Sequence, residues 1–359
     1  MAREDNDIAR LRKRFVCVRI TRMNGVNIRR FEFDFETTWA GFFLDEHLNV
    51  YSRYGGRDEG EPEDRFNKES LLQTMNEVLD LHADRRKHSP DRQPIVQPVT
   101  EGVSRPRDIA LLRKNQQGCV HCHQIKEYQI LQSFYDKEFS RRTLFGWPLP
   151  ENLGLKLDRK HGHRIAGTGE ESSAEKAALL SGDEIVQVNK VPIHSELDIR
   201  WALHRAPENK PLRFLVRRQK NGGEDSTLSV ELHPDKNWRN TDISWRKSMR
   251  SLPMDFAFRG YSLTRSQRKS EGLQEDQLAI RVVSVRNRGL AKKLGLQKRD
   301  SIIALDGLSK RRTMEQFKSD LLNRYKPGDE VRITVRRDGK NITLKGPLPD
   351  WHTAETTVP

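Results

Sequence analysis

Two stretches decide the fold: Ala174-Glu-Lys-Ala-Ala-Leu-Leu-Ser-Gly-Asp-Glu-Ile-Val-Gln-Val-Asn-Lys190 and Ala291-Lys-Lys-Leu-Gly-Leu-Gln-Lys-Arg-Asp-Ser-Ile-Ile-Ala-Leu-Asp-Gly307. They align without a gap. Each predicts a short helix, a tight turn that carries an aspartate (Asp183 or Asp300), and a strand with alternating apolar residues. Such similarity within one chain indicates a duplicated domain.

The two copies also continue in the same way. In the first copy, residues 196–205 predict a helix and residues 212–218 a basic strand. In the second, residues 314–324 predict the helix and residues 331–337 the strand. Each copy is therefore predicted to mix helices and strands.

The duplicated motif resembles the PDZ domain in its bacterial arrangement. In that family, the peptide-carboxylate loop is an apolar-Gly-apolar turn before the second strand. Leu153-Gly154-Leu155 matches this turn in the first copy, and Arg259-Gly260-Tyr261-Ser262-Leu263 takes the place in the second, where Arg299 also replaces the glycine found at Gly182. The resemblance implies two β-sandwich or barrel-like PDZ domains, at residues 149–234 and 253–349.

The resemblance also implies a function in peptide binding. A partner's C-terminal segment, or an intramolecular tail, would add a strand to an exposed sheet edge beside a helix. The backbone N–H groups of Leu153, Gly154 and Leu155 would hold the terminal carboxylate, which the missing side chain of Gly154 would let approach. Trp201, on the following helix, would form part of the pocket wall.

Residues 1–87 predict three strands and a helix. The strands are Phe15-Val-Cys-Val-Arg-Ile20, residues 38–44 and residues 50–54, and the helix covers residues 70–81. This order resembles the second half of a thioredoxin-like α/β domain, without its catalytic Cys-x-x-Cys. Cys17 lies among apolar residues and is expected to be an inert core thiol. The prolines of residues 88–105 predict a linker.

Residues 106–148 are predicted to form a helical segment, with one helix over residues 124–142. This segment contains Cys119-Val-His-Cys-His123. The spacing Cys-x-x-Cys-His is that of c-type haem attachment, through Cys119, Cys122 and His123. No methionine follows before the first PDZ-like copy, so His121 or His161 would be the sixth ligand.

Two other chemistries fit the same cysteines. Cys119 and Cys122 could join His161 and His163 in a tetrahedral zinc site. They could also form a redox disulfide, with His121 and His123 lowering the thiol pKa. The sequence leaves haem, zinc, a disulfide and plain free thiols as alternatives.

Composition excludes several classes of protein. The net charge of +14 and the pI of about 9.7 favour acidic partners, but lysine and arginine are spread along the whole chain and no nucleic-acid-binding motif is present. No apolar run reaches the ~18 residues of a membrane span. The sequence has no Gly-Asn-Ser-Gly-Gly motif, so no protease or other complete catalytic site is predicted.

The sequence thus predicts a multidomain α+β protein: a partial thioredoxin-like domain, a Cys/His segment and two PDZ domains. This order resembles bacterial thioredoxin-like proteins with tandem PDZ domains, of the planctomycete type. The primary hypothesis is a peptide-binding protein, and the alternative is an electron carrier or thiol-disulfide protein. The first residues contain no signal peptide, which predicts a cytoplasmic protein, or an exported one if the reading frame begins upstream.

Overall fold

The computed structural model describes residues 6–88, 94–115, 118–219, 225–251, 256–287 and 289–348. The N-terminal part forms helix α1 (Asn6–Arg12), strands β1 (Ala40–Leu44) and β2 (Val50–Gly55), and helix α2 (Lys68–His88). The two strands pair antiparallel in a sheet of their own. The predictions of these strands and of a helix near residues 70–81 are confirmed.

The strand predicted over residues 15–20 is wrong. This segment is not a strand, and Val16, Val18 and Ile20 are 95%, 80% and 57% exposed. Cys17 is exposed as well, so its predicted place in a core is also wrong. β-Branched residues favour a strand only where a neighbouring strand pairs with them, and none of the described strands does so here. A thioredoxin-like fold is therefore not shown for this part.

The helical segment predicted over residues 106–148 contains more breaks between its helices than the sequence predicts. It begins with a 3₁₀ turn (Pro106–Asp108) and continues with helices α3 (Ala110–Asn115), α4 (Cys122–Tyr135) and α5 (Arg141–Leu144). The single helix predicted over residues 124–142 is interrupted because Lys137 adopts a left-handed backbone conformation, with φ of 61°. None of the helices in the described ranges is long and apolar enough to cross a membrane.

The first copy of the repeat forms two small sheets. A 3₁₀ turn (Pro150–Leu153) leads into β3 (Leu155–Leu157), which pairs with β4 (Ile165–Thr168). The second sheet has the order β6-β5-β7-β8. The remaining elements are α6 (Ser173–Lys176), β5 (Glu184–Val188), β6 (Val191–Pro192), α7 (Glu196–Arg205), β7 (Leu212–Gln219) and β8 (Asp225–Leu232).

The second copy forms one antiparallel sheet of five strands in the order β13-β12-β11-β10-β9. Its strand β9 corresponds to β3 and its helix α10 to α7. The elements are β9 (Phe258–Ser262), α8 (Arg265–Ser270), β10 (Ile280–Val285), α9 (Leu290–Lys293), β11 (Ser301–Leu305), α10 (Met314–Arg324), β12 (Glu330–Arg337) and β13 (Lys340–Pro347).

One buried ion pair recurs at the aspartate of each duplicated motif. Asp183 is 1% exposed, and both of its oxygens accept hydrogen bonds from Arg218 on β7 at 2.7 Å. Asp300 is also 1% exposed and binds Arg337 on β12 in the same two-pronged way, at 2.7 and 2.8 Å. The pair ties the tight turn to the penultimate strand in both copies, so the sequence repeat is also a repeat of interactions.

The described residues divide into two units. The first takes those of Met1–Lys126 and Phe145–Thr241, and the second those of Glu127–Leu144 and Asp242–Pro359. The N-terminal strands and the first copy of the repeat thus share one unit, where β2 lies beside α7. Residues 197–203 of α7 are all buried, the polar ones included.

Candidate functional site

The turn at Leu153-Gly154-Leu155 has the backbone form that the sequence predicts for a binding loop. Gly154 ends the 3₁₀ turn in the left-handed conformation, with φ of 83° and ψ of 10°. Its N–H donates to the carbonyl groups of Glu151 and Pro150. The Gly154 N–H is therefore engaged within the turn, and Leu155 holds the next N–H of the loop.

The N–H of Leu155 points to the free edge of β3. The Gly169 N–H donates to the Gly154 carbonyl at 2.8 Å, which makes Gly154 and Gly169 a hydrogen-bonded pair. Because such pairs alternate along an antiparallel ladder, the N–H and C=O of Leu155 face away from β4. Among the described strands only β4 pairs with β3, so this edge is open to strand addition.

Ser172 occupies the place that a side chain on Gly154 would need. A Cβ atom built on Gly154 would lie 2.1 Å from the Ser172 Cβ, far inside the van der Waals contact distance. Ser172 itself caps α6 by accepting a hydrogen bond from the Glu175 N–H at 3.2 Å. The turn and its contact with Ser172 thus require a glycine at position 154, and the approach of a carboxylate to its backbone stays a prediction.

The corresponding turn of the second copy lies at Ala257, not at Gly260. Ala257 has a left-handed φ of 62°, and its carbonyl accepts from the Arg286 N–H at 2.8 Å, as Gly154 accepts from Gly169. The predicted loop over residues 259–263 is wrong, because most of it lies inside β9. The loop is instead formed by the apolar residues Phe256, Ala257 and Phe258, all of which are buried.

The close contact behind this turn is also present in the second copy, with its glycine on the other side. A Cβ atom built on Gly289, the residue that precedes α9, would lie 2.3 Å from the Ala257 Cβ. Gly289 stands where Ser172 stands in the first copy. Each copy therefore has room for one side chain at this contact and uses a glycine for the other residue.

Trp201 is buried under the N-terminal part of the chain. It is 4% exposed, and its indole Nε1 donates to Glu32 Oε2 at 2.7 Å. The guanidinium carbon of Arg53, on β2, lies 3.9 Å from the centre of the Trp201 ring. The side chain predicted to form a pocket wall thus packs against a segment that the sequence analysis assigned to another domain.

His161 and His163 occupy different environments. The Nδ1 of His161 lies 3.0 Å from Asp158 in the same loop. His163 is buried, with its Nε2 3.6 Å from Glu77 Oε1 on α2, and burial lowers the pKa of its imidazole. Within the described ranges no three His, Cys, Asp or Glu side chains are arranged to hold a metal ion, so the predicted zinc set of these histidines with Cys119 and Cys122 is not assembled.

Cys119 and Cys122 are both free thiols in the structure. Cys119 is exposed, whereas Cys122 is the half-buried first residue of α4. Burial raises the pKa of the Cys122 thiol above its ordinary value. The His123 ring stacks parallel to that of His121 with 6.1 Å between the ring centres. The predicted haem residues are therefore neighbours at the start of one helix.

We expect iodoacetamide to alkylate Cys17 and Cys119 faster than Cys122 at neutral pH. The two exposed thiols are accessible, whereas a raised pKa keeps Cys122 protonated until the pH is higher, and the thiolate is the nucleophile. Mass spectrometry of peptides after timed quenching measures the three rates. In urea the rates should converge, and equal rates in the native protein would contradict the described burial of Cys122.

One comparison with known proteins identifies the repeat. A family model for the PDZ domain matches residues 152–232 and 260–348. No curated protein matches the chain. Three solved structures of the HtrA-type protease AlgW are similar: two with a decapeptide, at 20% and 16% identity and TM-scores of 0.24 and 0.23, and one with a tripeptide, at 18% and 0.23.

The matches to these proteases are partial. They cover 38%, 39% and 36% of this chain and 40%, 49% and 42% of the protease chains, so this chain spans less than half the length of each. The matched residues of the family model, in contrast, coincide with the two copies that the internal duplication defines. The chain carries tandem PDZ domains, over residues 152–232 and 260–348.

Proposed function

We propose that this protein binds the C-terminal segments of other polypeptides through its PDZ domains, by strand addition to β3 or β9. The observation that carries the proposal is the open edge of β3, where the Leu155 N–H points outward directly after the left-handed residue Gly154. An outward N–H beside a tight turn is the backbone arrangement that holds the end of an added strand.

The second copy supports the proposal with the same backbone arrangement. Ala257 takes the left-handed conformation, and the Phe258 N–H faces away from β10 by the same alternation. The Phe258 ring lies 6.4 Å from the Phe317 ring of α10, so strand and helix face one another. Two copies of one backbone arrangement support a shared role in binding peptides.

A redox role remains an alternative prediction. Haem attachment at Cys119, Cys122 and His123 rests on the exact pentapeptide and on two thiols that are not joined in a disulfide. A pyridine haemochrome spectrum, taken on protein made in a host that matures c-type cytochromes, tests it. A c-type band would make the protein an electron carrier with peptide-binding domains.

Photo-crosslinking tests the proposed peptide binding. The probe is a pool of decapeptides with a randomised sequence, a free C-terminal carboxylate and a benzophenone side chain near that end. We expect adducts, mapped by mass spectrometry, within residues 153–157 or 256–262, and about a tenfold loss of adduct with the amidated pool, because a hydrogen-bonded charge contributes roughly 1.5–3 kcal/mol. Adducts scattered over the surface, or equal yields from both pools, would overturn the proposal.

A further inference from the structure

Residues 56–65 of the loop between β2 and α2 reach both walls of the first PDZ groove. One wall is the turn before β3, and the other is the start of α7. A cavity of about 250 Å³ remains where this loop meets the β3–β4 loop and α7, and its lining includes Arg65, Arg159, Gly162 and Glu196. The β2–α2 loop thus lies at the place where an added peptide strand would leave the groove.

Arg65 connects the two walls. Its Nη2 lies 2.8 Å from Glu151 Oε1, in the turn that precedes Gly154, and its Nη1 lies 2.7 Å from Glu196 Oε1, at the first residue of α7. Asp58, from the same loop, lies 2.6 Å from Arg65 Nη2 and holds the guanidinium in place. The Arg65 side chain is only 10% exposed, so its charge is largely withdrawn from water.

A second arginine holds the beginning of the loop against α7. Arg200 on α7 is fully buried, and its Nη1 donates to the Arg57 carbonyl at 3.0 Å. Its Nη2 lies 3.0 Å from Asp34 Oδ2 in the N-terminal part. The Arg200 Nη1 would lie 3.1 Å from a Cβ atom built on Gly56, so the loop backbone passes close to the helix.

The chain itself buries the residues of the groove walls. Leu153 and Leu155 on one side and Leu197 on the other are at most 1% exposed. We infer that the β2–α2 loop closes the first PDZ groove in cis, with Arg65 in the place of a basic side chain of the ligand. This inference rests on the proposed peptide-binding function.

The chemistry of the loop suits a reversible closure. Residues 57–65 contain five acidic residues, two arginines, a glycine and a proline, and no large apolar side chain. Residues 59–64 are exposed, so this part of the loop is held by ion pairs, while Phe66 at its end packs against Trp39 with 5.7 Å between the ring centres. The pair of Arg65 with Glu151, whose side chain is 40% exposed, is the one that exchanges most easily with water and with competing ions.

The closure also defines the ligand. If Arg65 leaves, Glu151 and Glu196 lose their cation, and the loss is costly for Glu196, whose side chain is only 16% exposed. Burial already raises the pKa of Glu196, although Arg65 opposes this. The peptide that displaces the loop therefore carries a lysine or arginine that pairs with these two carboxylates.

The test compares the full chain with its Arg65→Ala variant. The probes are decapeptides of alanine with a C-terminal valine, a fluorescein at the N-terminus and one arginine moved through successive positions. We expect R65A to bind the best arginine peptide about tenfold or more tightly than the unchanged chain does, because the competent state is no longer a minor population. Fluorescence anisotropy gives the affinities, and Arg213→Ala, an exposed arginine on β7, is the matched control.

Two further measurements separate the possible failures. Glu196→Gln combined with R65A should remove the preference for arginine over all-alanine peptide. Hydrogen exchange should rise in residues 55–67 of R65A while the amides of β5 and β7 keep their protection. Faster exchange without any peptide binding would refute the proposed function but not the closure; unchanged exchange and affinity would refute the closure.

If R65A does not fold, Glu151→Gln replaces it. This change removes one partner of Arg65 at a side chain that is 40% exposed, so its effect on folding is small. We expect a smaller rise in peptide affinity, of about two- to fivefold, and the same direction in hydrogen exchange. A decrease in affinity would show that Glu151 serves the ligand directly and would overturn the closure by Arg65.

Discussion

Replacing Asp183 with alanine is expected to lower the free energy of unfolding of the first PDZ domain by about 3 kcal/mol, the lower end of the range for breaking a buried ion pair. Asp183 accepts two hydrogen bonds from Arg218 and one from the Leu180 N–H at 2.9 Å. Alanine removes the acceptor of all three bonds, and of these donors Arg218 Nη2 keeps a second acceptor, the Ala178 carbonyl at 2.9 Å. The Arg218 side chain is 27% exposed and regains some hydration, which keeps the loss from being larger.

Native-state hydrogen exchange measures this effect locally, since amides of β5 and β7 report the stability of the first domain alone. Asp225→Ala, at an exposed position that begins β8, is the control and should change stability by less than about 0.5 kcal/mol. Asp300→Ala should repeat the result in β11 and β12, because Arg337 takes the role of Arg218. A loss below about 1 kcal/mol at Asp183 would show that the buried ion pair does not stabilise the turn as its geometry predicts.

Gly154→Ala is expected to destabilise the first PDZ domain by about 2–4 kcal/mol, from overpacking and an unfavourable backbone conformation together. The new Cβ atom would lie 2.1 Å from the Ser172 Cβ, which sits next to the backbone and cannot rotate away. The residue would also keep a φ near 83°. Hydrogen exchange of β3 and β4 amides, or thermal unfolding of the full chain, measures the loss.

The second domain, with its glycine on the other side of the contact, suggests a substitution that compensates for this change. Ser172→Gly should cost only a few tenths of a kcal/mol alone, and the double variant G154A with S172G should recover the overpacking part, leaving about 1 kcal/mol for the left-handed alanine. Gly182→Ala is the matched control, because Gly182 has a φ of 91° with open space around it. If G154A lowers the free energy of unfolding by no more than G182A does, the contact with Ser172 does not contribute to the destabilisation.

The features that recur in both copies of the repeat could be predicted from the sequence. The alternating apolar residues and the aspartate of each turn located the same strand and turn in both copies, and the family match covers the same residues. Even the departure at Arg299 is informative, since it takes a left-handed φ of 76° where Gly182 has 91°. Local patterns of this kind depend on residues near in sequence, which is why they can be read from it.

The features that the sequence could not supply depend on distant partners. The strand predicted at residues 15–20 lacks a neighbour to pair with. Trp201 is covered by Glu32 and Arg53, more than 140 positions earlier in the chain. The role of Arg65 cannot be predicted from the sequence, because one arginine in an acidic loop gives no local signal of the two glutamates that it joins. The tandem PDZ domains were therefore predictable, and the occupant of the first groove was not.

The two domains place their glycine on opposite sides of the contact behind the binding turn, which restricts how segments can be exchanged between the two repeats. A crossover between the binding turn and the helix that follows it would place Ala257 against Ser172, two side chains where the space holds one. The reciprocal product would set Gly154 against Gly289 and leave the contact empty. We therefore expect an exchange of segments between the repeats to yield stable domains only when the turn and the start of its helix are moved together.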